Sequence, residues 1–413
     1  MEILSILTGL TRHKTMSALI IVQIALTLCI VSNSLFVIHE RLVRIDRPSG
    51  LNDESDLVLF RNEWIGNPPD LKARLSKDLS LLRSMPGVVD AIATNSISLS
   101  MGGSGGPVRL QAEQARPSAF AASYIVDEHA LQTLGFRMTA GRWFTAEDVV
   151  DVDMSIVEGP PAPGPPSVII TRGLAERLFP SSSALGKSIF IGTSPSAVVG
   201  IVDRLVTPLF YGNSEANLDR IFENSILAPG LLIEDSYYYV IRAKPGESSA
   251  VLLASQDRLF HSDRTRAIDH AQTFAQVRAD TYRADRSLAW LLTMVSALLL
   301  MVTGLGIVGL SNYWVRLRRS PIGIRRALGA RRIDIVRYFQ IENLYMVGAG
   351  SIIGAALAVT SNLWMVQHLE MPRIGSVYIA IGAATVLGLG QLAVFWPARK
   401  AASIPPATAT RAV

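Results

Sequence analysis

Four long apolar stretches divide the chain of 413 residues. The first, residues 16–38, contains no Asp, Glu, Lys or Arg. Three more follow at 288–310, 341–366 and 376–396, and Glu342 is the single charged residue among them. A helix rises 1.5 Å per residue, so each stretch is long enough to cross a hydrocarbon core of about 30 Å. The pattern therefore predicts four transmembrane helices.

Residues 40–285 show a different pattern, with short apolar runs separated by amphipathic and turn-forming segments. Asp70 is placed to cap a helix that carries leucine at helical spacing on one face. Residues 237–241 are aromatic and β-branched, which favours a strand. Glycine-rich residues 101–107 predict a mobile loop, and residues 273–286 predict a helix that continues into the second membrane span. We therefore expect an α+β domain with two lobes, inserted between transmembrane helices 1 and 2.

The distribution of charge predicts how the chain is oriented. Residues 40–285 contain 24 basic and 30 acidic residues, a net charge of −6, whereas the remainder has a net charge of +11. Residues 315–337 alone carry eight arginines and one acid, Asp334. Short arginine-rich loops stay on the cytoplasmic side of a membrane. We therefore expect both termini and this loop to be cytoplasmic, and residues 40–285 to be periplasmic. An acidic soluble domain also argues against nucleic-acid binding.

The arginine-rich loop has the local signals of a short helix. Ser320 is placed to cap a helix that begins at Pro321, because proline is favoured in the first helical turn. Gly329 is placed to end it with a residue at positive φ. Ile322, Ile324 and Leu328 are then available for packing against a partner or against the bundle itself.

The arginine-rich loop contains the sequence P-I-G-I-R-R-A-L-G-A-R at residues 321–331. This sequence resembles the signature of the MacB/FtsX-like permeases of ABC systems, from which it differs where proline replaces an acidic residue. G-R-W-F-T-A-E-D at 141–148 and P-A-R-K-A-A at 397–402 also resemble family segments. The resemblance implies that one helix couples the permease to an ATPase. The residues assigned to it are Pro321, Ile322, Gly323, Ile324, Arg325, Arg326, Ala327, Leu328, Gly329, Ala330, Arg331 and Arg332.

The resemblance also implies a domain organisation and a set of partners. Residues 1–39 form the N-terminus and helix 1, 40–285 a MacB-type core domain, and 286–413 an FtsX-like permease domain ending in a cytoplasmic tail at 397–413. Within the third span, Gly350, Gly354 and Ala358 recur every four residues, a face that allows close approach of another helix. We expect a cytoplasmic ABC ATPase, a second permease subunit (identical or paralogous) and membrane lipid as partners, with a periplasmic adaptor as a further candidate.

No catalytic or metal-binding pattern stands out in the chain. Cys29 is the only cysteine, so the chain alone forms no disulfide. Among the scattered histidines, His261 and His270 are the pair that could converge with nearby aspartates, although solvated side chains are the simpler interpretation. Residues 181–188 lack the first glycine of a phosphate-binding loop. We therefore expect a non-catalytic subunit with no cofactor of its own, whose separate ATPase partner binds ATP and Mg²⁺.

Two functions from different classes fit these features, and a third fits less well. The first is export of a peptide, lipid, lipoprotein or antibiotic-like substrate from the bacterial inner membrane, driven by the ATPase. The second is an FtsX-like subunit that transmits force to an extracytoplasmic hydrolase and transports nothing. The size of the 40–285 domain favours the exporter, because the resemblance implies a smaller domain for the second class. The third is a membrane-anchored scaffold without an ATPase.

Overall fold

The computed structural model describes residues 14–66, 68–100, 103–153, 164–208, 222–369 and 372–403. The chain divides into two compact units, a helical unit of Met1–Asp46 with Ala284–Val413 and an α/β unit of Arg47–Arg283. The first helix continues beyond the apolar stretch to Ile45, which is why the α/β unit begins after the predicted residue 40. The predicted cytoplasmic tail lies outside the described residues from position 404 onward.

The structure describes ten α-helices and twelve strands. The helices are α1 (Lys14–Ile45), α2 (Leu71–Arg83), α3 (Ala130–Leu134), α4 (Arg172–Leu178), α5 (Ser248–Ser262), α6 (Phe274–Thr281), α7 (Arg283–Leu317), α8 (Arg319–Ala327), α9 (Arg332–Leu369) and α10 (Ser376–Ala402). The strands are β1 (Leu57–Trp64), β2 (Val88–Thr94), β3 (Ser104–Val108), β4 (Ala119–Val126), β5 (Met138–Gly141), β6 (Val150–Asp153), β7 (Ser167–Thr171), β8 (Ser188–Phe190), β9 (Pro195–Val202), β10 (Ser225–Ile233), β11 (Ser236–Ala243) and β12 (Arg266–Thr273).

Two sheets form the α/β unit. The first is antiparallel, with the strand order β12-β1-β11-β2, and α2 and α5 contribute to its core. The second is mixed, with the order β3-β4-β10-β7-β9-β5, while β6 pairs with β10 and β8 with β9. The leucines at helical spacing after Asp70 belong to the core of the first sheet, where Leu75, Leu79 and Leu82 are buried. The sequence pattern thus identified the correct inward face of α2.

Three local predictions in the α/β unit are wrong. Asp70 does not cap α2 with its side chain, because its carboxylate accepts a 2.9 Å hydrogen bond from Arg74 Nε, which lowers its pKa. The loop predicted at 101–107 is a strand from Ser104 onward, because β3 pairs along its length with β4; residues 101 and 102 lie outside the described residues. The helix predicted at 273–286 is interrupted at Tyr282, where α6 ends and α7 begins.

In the helical unit, α9 packs closely on α1. A side chain added at Gly350 would lie 2.6 Å from Ile24 Cγ2, and one added at Gly354 would lie 2.9 Å from Leu28 Cβ. Ala358, one helical turn further, is completely buried. The contacts advance in the same direction along both helices, so α1 and α9 are parallel. The small residues predicted to allow close approach therefore lie against a helix of the same chain.

Helix α7 runs antiparallel to α1. The Thr27 and Thr303 hydroxyls are 2.8 Å apart in the buried contact between these helices. A side chain added at Gly306 would lie 3.0 Å from Gln23 Oε1. A later residue of α7 thus contacts an earlier residue of α1, as expected for antiparallel helices.

Helix α10 is also antiparallel to α1. The rings of Phe36 and Tyr378 are 5.4 Å apart, and a side chain added at Gly382 would meet Leu28 at 3.0 Å. Helices α7 and α10 consequently run in the same direction. All four long helices are apolar enough to cross a membrane, which together with the α+β domain between the first two confirms the predicted fold class.

Candidate functional site

Helix α8 begins earlier than its sequence signals indicate. Its first residue is Arg319, and the Ile322 amide donates to the Arg318 carbonyl at 3.0 Å. The prediction that Ser320 caps a helix starting at Pro321 is therefore wrong. Pro321 still lies in the first turn, where its missing N–H leaves no hydrogen bond unmade. The chain passes from α7 into α8 with only Arg318 between them.

The end of α8 is as predicted. Gly329 has a φ of +100°, a conformation that strains a residue with a Cβ. The Gly329 amide donates a hydrogen bond to the Arg326 carbonyl at 3.2 Å, and the Ala330 amide donates one to the Arg325 carbonyl at 3.1 Å. This pair of hydrogen bonds is a Schellman motif, which satisfies the carbonyl groups left open at a helix C-terminus. The turn then leads directly into α9, whose first turn contains Asp334, and the carboxylate of Asp334 accepts from the Arg331 amide at 2.9 Å.

One face of α8 is seated in the helical unit. Ile322 is 6% exposed and Gly323 is also buried. Ile322 belongs to the same apolar cluster as Phe339 of α9 and Ala398 and Ala401 of α10. Ile322 is therefore unavailable to a partner and instead holds α8 on the bundle.

An ion pair fixes the start of α8 as well. The Arg318 guanidinium donates to both carboxylate oxygens of Glu342, at 2.8 and 3.0 Å, and to the Tyr338 hydroxyl at 3.2 Å. The Glu342 side chain is 1% exposed, while Arg318 lies beside the Trp314 ring. Glu342, the single charged residue of the last three apolar stretches, therefore pairs with an arginine of the arginine-rich loop. A bidentate contact of this kind fixes the relative orientation of the two side chains as well as the distance between them.

The opposite face of α8 remains uncovered. Leu328 is 82% exposed, Ile324 50%, and Ile333 at the start of α9 65%. The Arg325 guanidinium lies 5.2 Å from the Tyr338 ring centroid, and Arg326 donates to the Ala402 carbonyl at 3.0 Å. We call Ile324, Arg325, Leu328 and Ile333 the exposed α8 face. Its composition, three large apolar side chains beside arginine, suits a protein groove that combines apolar and acidic groups.

The remaining members of the predicted coupling segment surround this face. Those exposed to solvent are Pro321, Ala327, Gly329, Arg331 and Arg332, while Ala330 is half-buried. Ile333 was not predicted from the sequence, because the turn at Gly329 separates it from the helix that contains Ile324.

Other candidate residues do not converge. His261 contacts Asp257 of its own helix, and His270 is exposed near Asp269. No group of three or more His, Cys, Asp or Glu side chains among the described residues is arranged to hold a metal ion. Lys187, in the segment that resembles a phosphate-binding loop, lies over the Phe179 ring at 4.4 Å and forms no such loop.

Comparison with known proteins identifies the family. The sequence model of the MacB-like periplasmic core domain matches residues 18–256, which is more than half of the chain. The chain belongs to this family. The model of the FtsX-like permease C-terminal domain matches residues 293–406 of this MacB-like permease, and that range includes α8 and the whole exposed face.

Relatives of this permease include named exporters. It is 25% identical over 367 residues to the macrolide export ATP-binding/permease protein MacB of Pasteurella multocida, covering 87% of this chain and 52% of the relative. It is 28% identical over 246 residues to a probable syringafactin export ATP-binding/permease protein of Pseudomonas syringae, covering 58% of this chain and 37% of the relative. The chain thus spans about half or less of the length of these curated relatives.

Solved structures give weaker matches. The periplasmic region of MacB from Actinobacillus actinomycetemcomitans matches 57% of this chain and 97% of that chain, at 14% identity and a TM-score of 0.33. The extracellular domain of the transporter YknZ matches 51% of this chain and all of that chain, at 15% identity and a TM-score of 0.32.

Proposed function

We propose that this MacB-like permease couples ATP hydrolysis by a separate ATPase subunit to export of a substrate across the bacterial inner membrane. The exposed α8 face would be the contact with that ATPase. The observation that supports the proposal is that the two faces of α8 differ in what they contact. One side is fixed to the bundle by Ile322 and Arg318, and the other presents uncovered apolar and cationic side chains.

The distribution of charge supports a cytoplasmic position for α8. Arginine-rich segments between membrane spans are retained on the cytoplasmic side. With four spans, this placement puts both ends of the described chain, residues 14 and 403, on the same side as α8. Residues 47–283 then lie in the periplasm. An ATPase supplied with cytoplasmic ATP has access to α8 in this orientation.

The printed names of the relatives support export as the outcome. Both relatives named above are described as export ATP-binding/permease proteins. In our proposal the ATPase partner binds ATP and Mg²⁺, and two permease subunits, identical or paralogous, each engage one ATPase subunit. Closure of the ATPase pair would move the two α8 helices together and carry the α/β units with them.

Substitutions on the exposed α8 face test the contact. Leu328→Asp places a charge in the centre of the proposed apolar contact, and Arg325→Glu reverses the neighbouring charge. Loss of one central contact of this kind costs about 2 kcal/mol or more, which is about a 30-fold loss of affinity. The tagged full-length protein is extracted in mild detergent, and the co-purified ABC ATPase is quantified by mass together with ATP hydrolysis.

Matched substitutions in the α/β unit provide the controls. Leu253 is 71% exposed and Arg258 is also exposed, both on α5. Leu253→Asp and Arg258→Glu repeat the same chemical changes in the other unit of the chain and are expected to retain the ATPase. Full retention of the ATPase by Leu328→Asp and Arg325→Glu, with the protein inserted normally, would refute the proposal.

A further inference from the structure

A continuous stripe on α10 changes from apolar to cationic within two helical turns. Leu392 is 75% exposed, Phe395 46% and Trp396 63%. Arg399 and Lys400 follow at three and four residues after Trp396 and are both exposed. Residues three and four apart lie on the same face of a helix, so the aromatic ring and both cations share one surface. In a membrane-spanning helix, that exposed surface faces lipid.

The two cations lie at the edge of the apolar surface, and Lys400 contacts an aromatic ring there. Lys400 Nζ lies 5.4 Å from the Trp396 ring centroid, a cation–π distance. No carboxylate within the described part of the chain pairs with either Arg399 or Lys400. The acids at this end of the helical unit are already engaged, Glu342 with Arg318 and Asp334 with the Arg331 amide. Within the residues that the structure describes, the positive charge on α10 therefore has no carboxylate partner where the apolar surface ends.

We propose that Trp396, Arg399 and Lys400 form a binding site for the head group of an anionic phospholipid. The stripe of Leu392, Phe395 and Trp396 receives the acyl chains, and the indole and the two cations receive the head group. A lipid with net negative charge supplies the counter-charge that the described residues do not provide at Arg399 and Lys400. A zwitterionic lipid carries its own positive group and supplies less. The proposal requires only that α10 spans the membrane, and it is independent of coupling to an ATPase.

Quenching of Trp396 fluorescence measures this selectivity directly. The full-length protein is reconstituted into phosphatidylcholine vesicles in which brominated phosphatidylglycerol or brominated phosphatidylcholine replaces part of the lipid. The contribution of Trp396 is the difference between the wild type and Trp396→Phe. Basic residues near a membrane surface favour anionic lipid by about five-fold each, or about 25-fold for Arg399 and Lys400 together. The double variant R399Q/K400Q is expected to reduce this preference to about one.

An arginine between α9 and α10 provides the control. Arg373 is exposed in the turn at the opposite ends of these helices, so Arg373→Gln is expected to leave the preference at Trp396 unchanged. Melting of each variant in detergent checks that the fold is retained. The proposal is overturned if both brominated lipids quench Trp396 equally in the wild type. It is also overturned if the preference survives in R399Q/K400Q, or if Arg373→Gln reduces it as strongly, since general surface charge would then account for the effect.

Discussion

The substitution Arg266→Met is expected to destabilise the α/β unit strongly, because it leaves a buried carboxylate without a counter-ion. Arg266 on β12 donates to both oxygens of Asp78 on α2, at 2.7 and 3.0 Å, and each side chain is only 1% exposed. The Tyr239 hydroxyl donates to the same carboxylate at 2.7 Å. Burial raises the pKa of Tyr239, so its hydroxyl remains a donor at neutral pH. The Trp64 ring covers the guanidinium at 4.2 Å.

The expected loss follows from the burial of both partners. Removal of one partner from a buried ion pair costs about 3–5 kcal/mol, because the remaining charge is desolvated and unpaired. A domain of this size shifts its melting midpoint by about 2–4 °C per kcal/mol. Arg266→Met should therefore lower the midpoint of the α/β unit by about 6–20 °C. Replacing both partners, as in Arg266→Met with Asp78→Leu, removes the unpaired charge and should recover at least half of that loss.

Arg74 offers a matched control on the same aromatic ring. Its guanidinium lies 5.0 Å from the Trp64 ring centroid, but its side chain is 26% exposed and pairs with Asp70 and Asp263, which are both more exposed than Asp78. Ion pairs near solvent contribute at most about 1 kcal/mol each. Arg74→Met should therefore shift the midpoint by no more than about 8 °C. Melting is followed by tryptophan fluorescence of the full-length protein in detergent, with Trp64 as a local reporter.

Two outcomes would contradict this reasoning. The first is an equal shift for Arg266→Met and Arg74→Met, which would mean that burial does not determine the cost. The second is a double variant at Arg266 and Asp78 that is no more stable than the single one, which would mean that the unpaired carboxylate is not its source.

Two further predictions concern a helix contact and a surface turn. Gly354→Val should destabilise the helical unit by about 1–3 kcal/mol, because a Cβ there would lie 2.7 Å from the Ala25 carbonyl oxygen. Gly348→Val, with nothing within 4 Å, is its control, and the soluble fraction after heating in detergent is the measurement. The Arg142 guanidinium beside Asp148 lowers the pKa of that carboxyl, so its contribution to stability is present above about pH 4 and lost in more acidic solution. The difference in melting midpoint between wild type and Asp148→Asn should accordingly shrink as the pH falls below about 4, and a constant difference would refute this.

The four long helices were predictable because each depends on a local property, a run of apolar residues long enough for a membrane. The inward face of α2 was predictable for the same reason, since its leucines repeat at helical spacing. β3 and β12 were not, because neither strand carries an apolar alternation: two of the five residues of β3 are glycine and one is proline, and β12 places Asp269 and His270 at the edge of a sheet. Pairing with β4 and β1 creates these strands, and that pairing is not encoded within the segments themselves.

The candidate site shows the same division between local and long-range determinants. Gly329 was predictable because a positive φ has a strong local preference for glycine. The start of α8 was not, because the contact of Arg318 with Glu342 joins residues from α7 and α9. The local sequence also gave no reason to expect different burial for Ile322 and Ile324. Burial distinguishes them, since Ile322 lies among side chains of α9 and α10 whereas Ile324 is half exposed.

The restraints on α8 determine what it can transmit under the proposed function. A helix of nine residues is marginal on its own, so its conformation depends on its surroundings. Here the Arg318–Glu342 pair holds its start, Ile322 its middle and the Gly329 turn its end. Loss of Glu342 would therefore leave the exposed α8 face chemically unchanged while loosening its attachment. If α8 serves only to bind the ATPase, Glu342→Gln should reduce ATPase binding and export by the same factor. If α8 also transmits movement to the bundle, Glu342→Gln should reduce export more than ATPase binding. The reason is that a loosely attached α8 can still be bound by the ATPase but no longer moves the bundle.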